Sequence, residues 1–314
     1  MIDSKNGIIG LAIGDALGVP GEFKSREYLK MDPITTMTGY GTHNMPEGTW
    51  SDDTSMTLAT IDSIIDTNGI NPNDIADKFV DWWKDSKYTP AGETFDIGNT
   101  CREAIYNYYR DREKQGTVNA TRYGRDGEFN NGNGALMRIL PIAYYCNKYT
   151  SDKMEILENI RIVSSITHGH EISLMGCYMY VLFAIKLLNG YTKEDAFKSI
   201  MGEDYSMFEE ATRNKYHKII NGDLLFMQED AINSSGYVVD TLEATLWCLM
   251  KTKTYEDAVI KAVNLGDDTD TVGACTGGLA GILYGLKAIK DEWKFKLINI
   301  EYIENLCNEF NEMI

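Results

Sequence analysis

The sequence predicts an all-α fold, a compact multi-helix domain, and three observations predict it. Apolar residues recur at three- and four-residue spacing along most of the chain, the pattern of helices with one face turned to a core. Alternating strand patterns are nearly absent. Two stretches carry glycine at every fourth position: Gly10, Gly14 and Gly18 near the start, then Gly273, Gly277, Gly281 and Gly285 near the end. A glycine inside a helix costs about 1 kcal/mol against alanine. Two such stripes imply close backbone approach, and each is a natural partner for the other.

The elements follow in order. Residues 8–18 form the first helix, which Val19, Pro20 and Gly21 bring to an end. This apolar stretch is too short for a signal peptide, and Asp15 excludes both that and a membrane dimer motif. Residues 40–48 read as a loop. Ser51, Asp52 and Asp53 then open a helix whose apolar positions, from Met56 to Ile65, keep helical spacing. Helical patterns recur at 75–83 and 101–109, a polar glycine-rich loop covers 122–134, and 135–145 is expected to be helical. Further helices are expected at 156–166, 172–188, 193–201, 212–220, 238–250, 255–263 and 300–310. The longest apolar run, 172–185, is shorter than a membrane span and reads as a core helix. No linker divides the chain, so residues 1–314 are expected to form one domain.

Composition narrows the function. The 314 residues are 43% hydrophobic and 25% charged, as in ordinary globular proteins. Thirty Lys and Arg face 47 Asp and Glu, a net charge of −17 with no basic block, which argues against a nucleic-acid binder. An anionic substrate would need metal ions or local donors to overcome that field. The six cysteines are scattered over apolar stretches without a C-x-x-C pair, which suggests small buried side chains in a reducing, cytoplasmic setting.

The chemistry concentrates in two acidic runs. Ser51, Asp52 and Asp53 begin one helix; Asp268, Asp270 and Thr271 begin the helix that carries the second glycine stripe. Helix N-termini favour carboxylates, so capping is the bland explanation for either run alone. One cap oxygen satisfies a helix start, however, and four carboxylates with two hydroxyls exceed that need. Hard oxygen donors without Cys or His suit Mg²⁺, Mn²⁺ or Ca²⁺, and this many suit two ions. Rival patterns fail on the letters. An EF-hand beginning at Asp268 would need oxygen ligands where Val272 and Leu279 stand, and an isoprenoid-synthase D-D-x-x-D would need Asp at Met56 or Thr271. Asp268-Thr269-Asp270-Thr271-Val272 does match the phosphatase pattern D-x-D-x-[TV], though without the preceding strand that motif needs. Asn130 to Gly134 leads into an expected helix and suits a phosphate, although Asn-Gly is also a common turn. His168 and His170 lack the H-E-x-x-H pattern, which argues against zinc.

Taken together, several segments resemble the ADP-ribosylglycohydrolase family. They are 14–18, 48–56, 95–100, 132–138, Thr167 with His168, 236–242 and 264–285, in the family's order and spread over nearly the whole chain. The resemblance implies an all-α orthogonal fold with a dinuclear Mg²⁺ or Mn²⁺ centre held by Ser51, Asp52, Asp53, Asp268, Asp270 and Thr271. It implies hydrolysis of the glycosidic bond between ADP-ribose and a protein side chain such as arginine, or a small acceptor. Asp96, Glu22 and Asp270 are the catalytic candidates that follow. Gly132, Asn133 and Gly134 would contact the diphosphate and ribose, and His168 and Tyr237 would line the ADP side, with Tyr237 stacking on adenine. Asp267 is expected to cap the helix or support the ligands. The rival functions are a silent ADP-ribose binder and a metal-dependent phosphohydrolase. No membrane or nucleic-acid partner is expected, and a monomer is favoured.

Overall fold

The computed structural model describes residues 2–314. The chain begins with α1 (Ser4–Gly18), α2 (Arg26–Met31), α3 (Asp52–Thr67), α4 (Pro72–Asp85) and α5 (Asn99–Gln115). After a long loop come α6 (Leu140–Tyr149), α7 (Lys153–Ser164), α8 (Glu171–Leu188) and α9 (Lys193–Met201). Two short helices, α10 (Glu210–Lys215) and α11 (His217–Ile220), precede α12 (Val238–Lys251) and α13 (Tyr255–Val263). The chain closes with α14 (Thr269–Tyr284), α15 (Asp291–Lys296) and α16 (Ile300–Met313). Extended pairing among the described residues is limited to isolated bridges, so the fold is all-α as the periodicity predicts.

The two glycine stripes meet. A Cβ placed on Gly14 would lie 2.0 Å from the carbonyl oxygen of Gly273, and one on Gly277 would lie 2.3 Å from that of Gly10. One on Gly281 would lie 2.0 Å from the Asn6 oxygen. As the α1 number rises the α14 number falls, so the helices run antiparallel with backbones in direct contact. Hydroxyls close the seam from the sides: Tyr255 donates to Gly10 O at 2.7 Å and Thr269 to Gly18 O at 2.7 Å. Both helices are buried along nearly their whole length. This seam puts the end of α1 beside the start of α14.

Three expectations need correction. Residues 135–139 are turns, and the helix starts only at Leu140. A helix begun at 135 would hold Pro141 in its interior, without an N–H to donate and against the carbonyl of residue 137. The 212–220 helix breaks into α10 and α11 at Tyr216, whose buried ring sends its hydroxyl to Ile172 O at 2.7 Å. Finally, α8 extends the 172–185 run to 18 residues, long and apolar enough to span a membrane by length and composition, yet 72% of it is buried inside the fold. The six cysteines are all buried and unpaired, as expected. The six-residue helices α2 and α15 are too short to show periodicity and escaped sequence detection.

Candidate active site and metal centre

The α1–α14 seam assembles the acidic runs, and Asp15 on α1 holds the first one. Its carboxylate accepts from the backbone N–H of Ser51 at 2.9 Å, from that of Thr54 at 3.1 Å and from the Thr54 hydroxyl at 2.6 Å. Asp15 and the Ser51 hydroxyl, which accepts from Asp53 N at 3.3 Å, therefore cap α3. The carboxylates of Asp52 and Asp53 are released from that task. At α14, Asp268 occupies the N-cap position yet makes no side-chain cap bond. Asp270 spends only Oδ1 on the helix start, accepting from Thr271 N at 2.9 Å, so capping leaves most of these carboxylate oxygens unexplained.

The two runs converge. Thr271 donates to Asp53 Oδ2 at 3.4 Å across 218 residues of sequence. Ligand atoms of Asp15, Asp53 and Asp270 lie within 4.8 Å of one another, and so do those of Glu22, Asp268 and Asp270. Three buried carboxylate oxygens in this cluster, Asp53 Oδ1, Asp268 Oδ1 and Asp270 Oδ2, have no hydrogen-bond partner. Desolvated acceptors of this kind are costly unless something positive faces them. The donor set is all carboxylate and hydroxyl oxygen, which fits a hard divalent cation.

The electrostatics agree. Burial first, then the charge of Asp96, holds Asp52 well above the usual carboxylate range. Burial and then Asp15 do the same for Asp53, and burial and then Glu22 for Asp270. Burial pushes Asp15 up to about 7 and Glu22 to about 8. Asp96 is also raised, chiefly by burial. Without a cation this cluster retains protons that carboxylic acids normally shed.

A cavity of about 380 Å³ opens on these groups, a size suited to a small-molecule ligand. Asp52, Asp96, Asp268 and Thr271 line it, together with Gly132, Asn133, Gly134 and His168. A second hollow of about 470 Å³, lined by Tyr237, Ile172 and Lys215, shares Phe129, Gly132 and Gly236 with it. The glycine loop is strapped down by Val238 N to Asn131 O and Asn133 N to Gly236 O, both 3.0 Å. Asn133 also sends its amide to Asp268 Oδ2 and Thr241 Oγ1, each at 2.9 Å. Its amide donors are therefore spent on Asp268 and Thr241, and a direct ligand contact falls to its carbonyl oxygen and the loop backbone. His168 is buried, and desolvation, helped by Arg138, pushes it down to about 3, so the ring is neutral.

The candidate residues of the sequence all border this centre, with Tyr237 in the adjoining hollow. Asp267 departs from expectation. Its side chain is exposed and its φ is +59°, a left-handed position that Asp tolerates. It serves through its backbone: Phe23 N donates to Asp267 O at 2.7 Å, and Asp267 N donates to Lys24 O at 2.9 Å. That pairing sets Glu22 against Asp268. The D-x-D-x-V match loses its required context, since a helical turn and not a strand precedes it. Sequence reading missed two residues. Asp15 was visible as a lone charge in an apolar stripe, whereas nothing in the sequence marked His43, whose Nε2 contacts Glu22 Oε2.

Comparison with known proteins follows the same line. The family model described as ADP-ribosylglycohydrolase matches residues 4–314. The chain is 34% identical over 308 residues to the ADP-ribosylarginine hydrolase Tri1 of Serratia proteamaculans, covering 98% of this chain and 78% of that protein. It is 32% identical to the ADP-ribosyl-[dinitrogen reductase] glycohydrolase of Rhodospirillum rubrum, covering 92% of this chain and 88% of that one. A solved structure titled "ADP-ribosylglycohydrolase-related protein complex" superposes with a TM-score of 0.80 at 29% identity, over 99% of this chain and 98% of the other.

Proposed function

The chain belongs to the ADP-ribosylglycohydrolase family, and from that premise we propose that it removes ADP-ribose from arginine side chains of modified proteins, using two divalent cations, Mg²⁺ or Mn²⁺. One observation carries this reading: three partnerless carboxylate oxygens sit in one acidic cluster, and Asp52, Asp268 and Thr271 of that cluster line a single cavity together with the glycine loop. The arginine acceptor is supported by the relatives named for it. It is supported also by the cavity lining, where Glu22, Phe23 and Asp96 stand, with His43 contacting Glu22 and packed between Phe23 and Phe95. The His43 ring centroid lies 6.0 Å from that of Phe23 and 5.2 Å from that of Phe95. Carboxylates beside aromatic rings suit a planar guanidinium.

Ser51, Asp52, Asp53, Asp268, Asp270 and Thr271 are the residues that would hold the ions. Bound there, the ions supply charge neutralisation and Lewis-acid polarisation at the ribose. The protein's own groups do the rest. The Gly132–Gly134 backbone and His168 bind the diphosphate, and Tyr237 faces the adenine end. Glu22 and Asp96 both line the cavity and are the carboxyl groups placed to handle the protons of the departing guanidine nitrogen and the attacking water.

The test is turnover of ADP-ribosyl-arginine by Glu22→Gln and Asp96→Asn variants whose metal content is measured in parallel. The expected result is metal content near wild type with turnover lowered about 10²- to 10⁴-fold. Wild-type turnover by both variants overturns the proton assignment. Equal turnover of ADP-ribosyl-serine removes the arginine preference, and tight ADP-ribose binding without any hydrolysis makes the protein a silent binder.

A further inference from the structure

The proposed reaction leaves one buried charge without a task. Arg138 is fully buried, and among the described residues no carboxylate meets it. Its guanidinium donates to Gly134 O at 3.1 Å, to Val163 O at 3.2 and 3.3 Å, and to Thr167 Oγ1 at 2.8 Å, over the face of Phe79 with Cζ 4.7 Å from the ring centroid. A buried cation answered only by neutral acceptors is expensive. Burial lowers its pKa only to about 10, so it keeps its charge at neutral pH.

The bonds beyond Arg138 determine where a proton sits. Guanidinium donates and never accepts, so Thr167 Oγ1 is the acceptor of that bond. The same oxygen lies 2.8 Å from His168 Nδ1. A hydroxyl has one proton, and with Arg138 donating to its oxygen it has that proton to give to Nδ1. Nδ1 is then an acceptor, and a neutral ring must carry its proton on Nε2. The opposite tautomer would require Thr167 to accept from both Arg138 and His168. It would also turn an N–H dipole toward the cation. Nε2 stands on the ligand side: it is 3.6 Å from where a Cβ on Gly132 or Gly134 would lie.

We propose that Arg138 is a positioning residue that, through Thr167, fixes His168 as the Nε2–H tautomer, so that the ring offers a hydrogen-bond donor to an anionic phosphate oxygen of the bound ADP-ribosyl group. The same guanidinium anchors Gly134 O, so one buried cation aligns the glycine loop and the histidine that faces it. It also brings positive potential to a ligand site in a chain of net charge −17. This inference rests on the reading that the cavity binds ADP-ribose, but the tautomer itself can be measured without any ligand.

The experiment uses the full chain with ¹⁵N-labelled histidine and long-range proton–nitrogen correlation spectra. The chain has four histidines, and His168→Gln identifies the His168 signals. The expected wild-type pattern is protonated Nε2 with bare Nδ1. Thr167→Val, which removes the hydroxyl at nearly constant shape, should mix the tautomers and weaken ADP-ribose binding at least about tenfold by calorimetry. Thr167→Ser should restore both. A wild-type ring protonated on Nδ1 overturns the proposal even if no variant folds, as does a Thr167→Val protein with unchanged tautomer and affinity. A wild-type ring protonated on Nε2 in a protein that binds no ADP-ribose refutes the functional reading and, with it, only the ligand half of this one.

Discussion

Gly18→Ala and Gly10→Ala form a pair of substitutions that separates the cost of the helix seam from the cost to the site. A Cβ on Gly10 would lie 2.5 Å from Gly277 O, and one on Gly18 would lie 2.3 Å from Asp270 Cα. Ordinary contact begins near 3.4 Å, so the shortfalls are about 0.9 and 1.1 Å. In both cases the obstacle is helix backbone, which has no rotamer to change and must move as a unit. Overpacking costs typically 1–3 kcal/mol, with backbone obstacles toward the upper end. The gain in helix propensity from glycine to alanine returns about 1 kcal/mol. The net expectation is a loss of about 2 kcal/mol for each variant. In domains of 150–250 residues 1 kcal/mol shifts Tm by about 2–4 °C, so a drop of roughly 4–8 °C is expected in a melt. The difference lies in function. Gly10 sits about one and a half turns before Asp15 on α1, with its obstacle at Gly277, about two turns beyond Asp270, so Gly10→Ala should keep turnover within about twofold below its Tm. Gly18→Ala displaces Asp270 by up to an ångström, a shift that costs on the order of 100-fold in a preorganised site. A Gly10→Ala protein as stable as wild type, or a Gly18→Ala protein with wild-type turnover, refutes the account of a seam that positions the centre.

Other consequences can be checked as directly. Asp15 and Glu22 have folded pKa values of about 7 and about 8 against ordinary values of 3.8 and 4.5, so between those limits the folded chain binds more protons than the unfolded one. Metal-free protein should therefore lose stability as pH rises from about 4 to about 8, by up to several kcal/mol, and Mg²⁺ or Mn²⁺ should restore it; melts in chelator with a flat pH profile would contradict this. Metal binding at pH 7 should also release protons, measurable as calorimetric heats that vary with buffer ionisation enthalpy. Asp15→Ala orphans three buried donors at the start of α3 and should cost about 3 kcal/mol or more, seen as a lower midpoint in denaturant. Asp268→Ala frees the Asn133 amide and removes a ligand oxygen, so metal content by elemental analysis should fall sharply while the fold, by circular dichroism, stays.

The legible part of this protein was local or periodic. Helices α9 and α13 match the sequence expectation residue for residue, because apolar spacing ends cleanly at Met201 and at Val263. The glycine stripes announced a close backbone contact and named its two partners, since a helix-interior glycine carries a cost that only tertiary contact offsets. Density of carboxylates marked the candidate metal centre. The illegible part depended on who faces whom. Asp15 reads as an isolated charge until the seam turns it toward Ser51 and Thr54. His43 meets Glu22 only because the 40–48 loop folds back over the end of α1. Arg138 sits in a segment that looked helical, and only the turn preceding Pro141 directs its guanidinium inward to Gly134, Val163 and Thr167.

Capping is the point at which fold and chemistry become one problem. A helix start exposes N–H groups that favour an anion, and a chain can satisfy them with the first carboxylates of the helix itself. Here α3 takes its acceptor from Asp15 on another helix, and Asp268 at α14 makes no cap bond. Both helices thereby keep carboxylate oxygens free, with Asp53 Oδ1, Asp268 Oδ1 and Asp270 Oδ2 buried without a hydrogen-bond partner. That arrangement is unstable by itself, as the raised pKa values of Asp52, Asp53 and Asp270 record. It persists because the glycine seam packs α1 directly against α14 and so holds the two acidic runs together, and the proposed divalent cations would relieve the strain that the core thereby sustains.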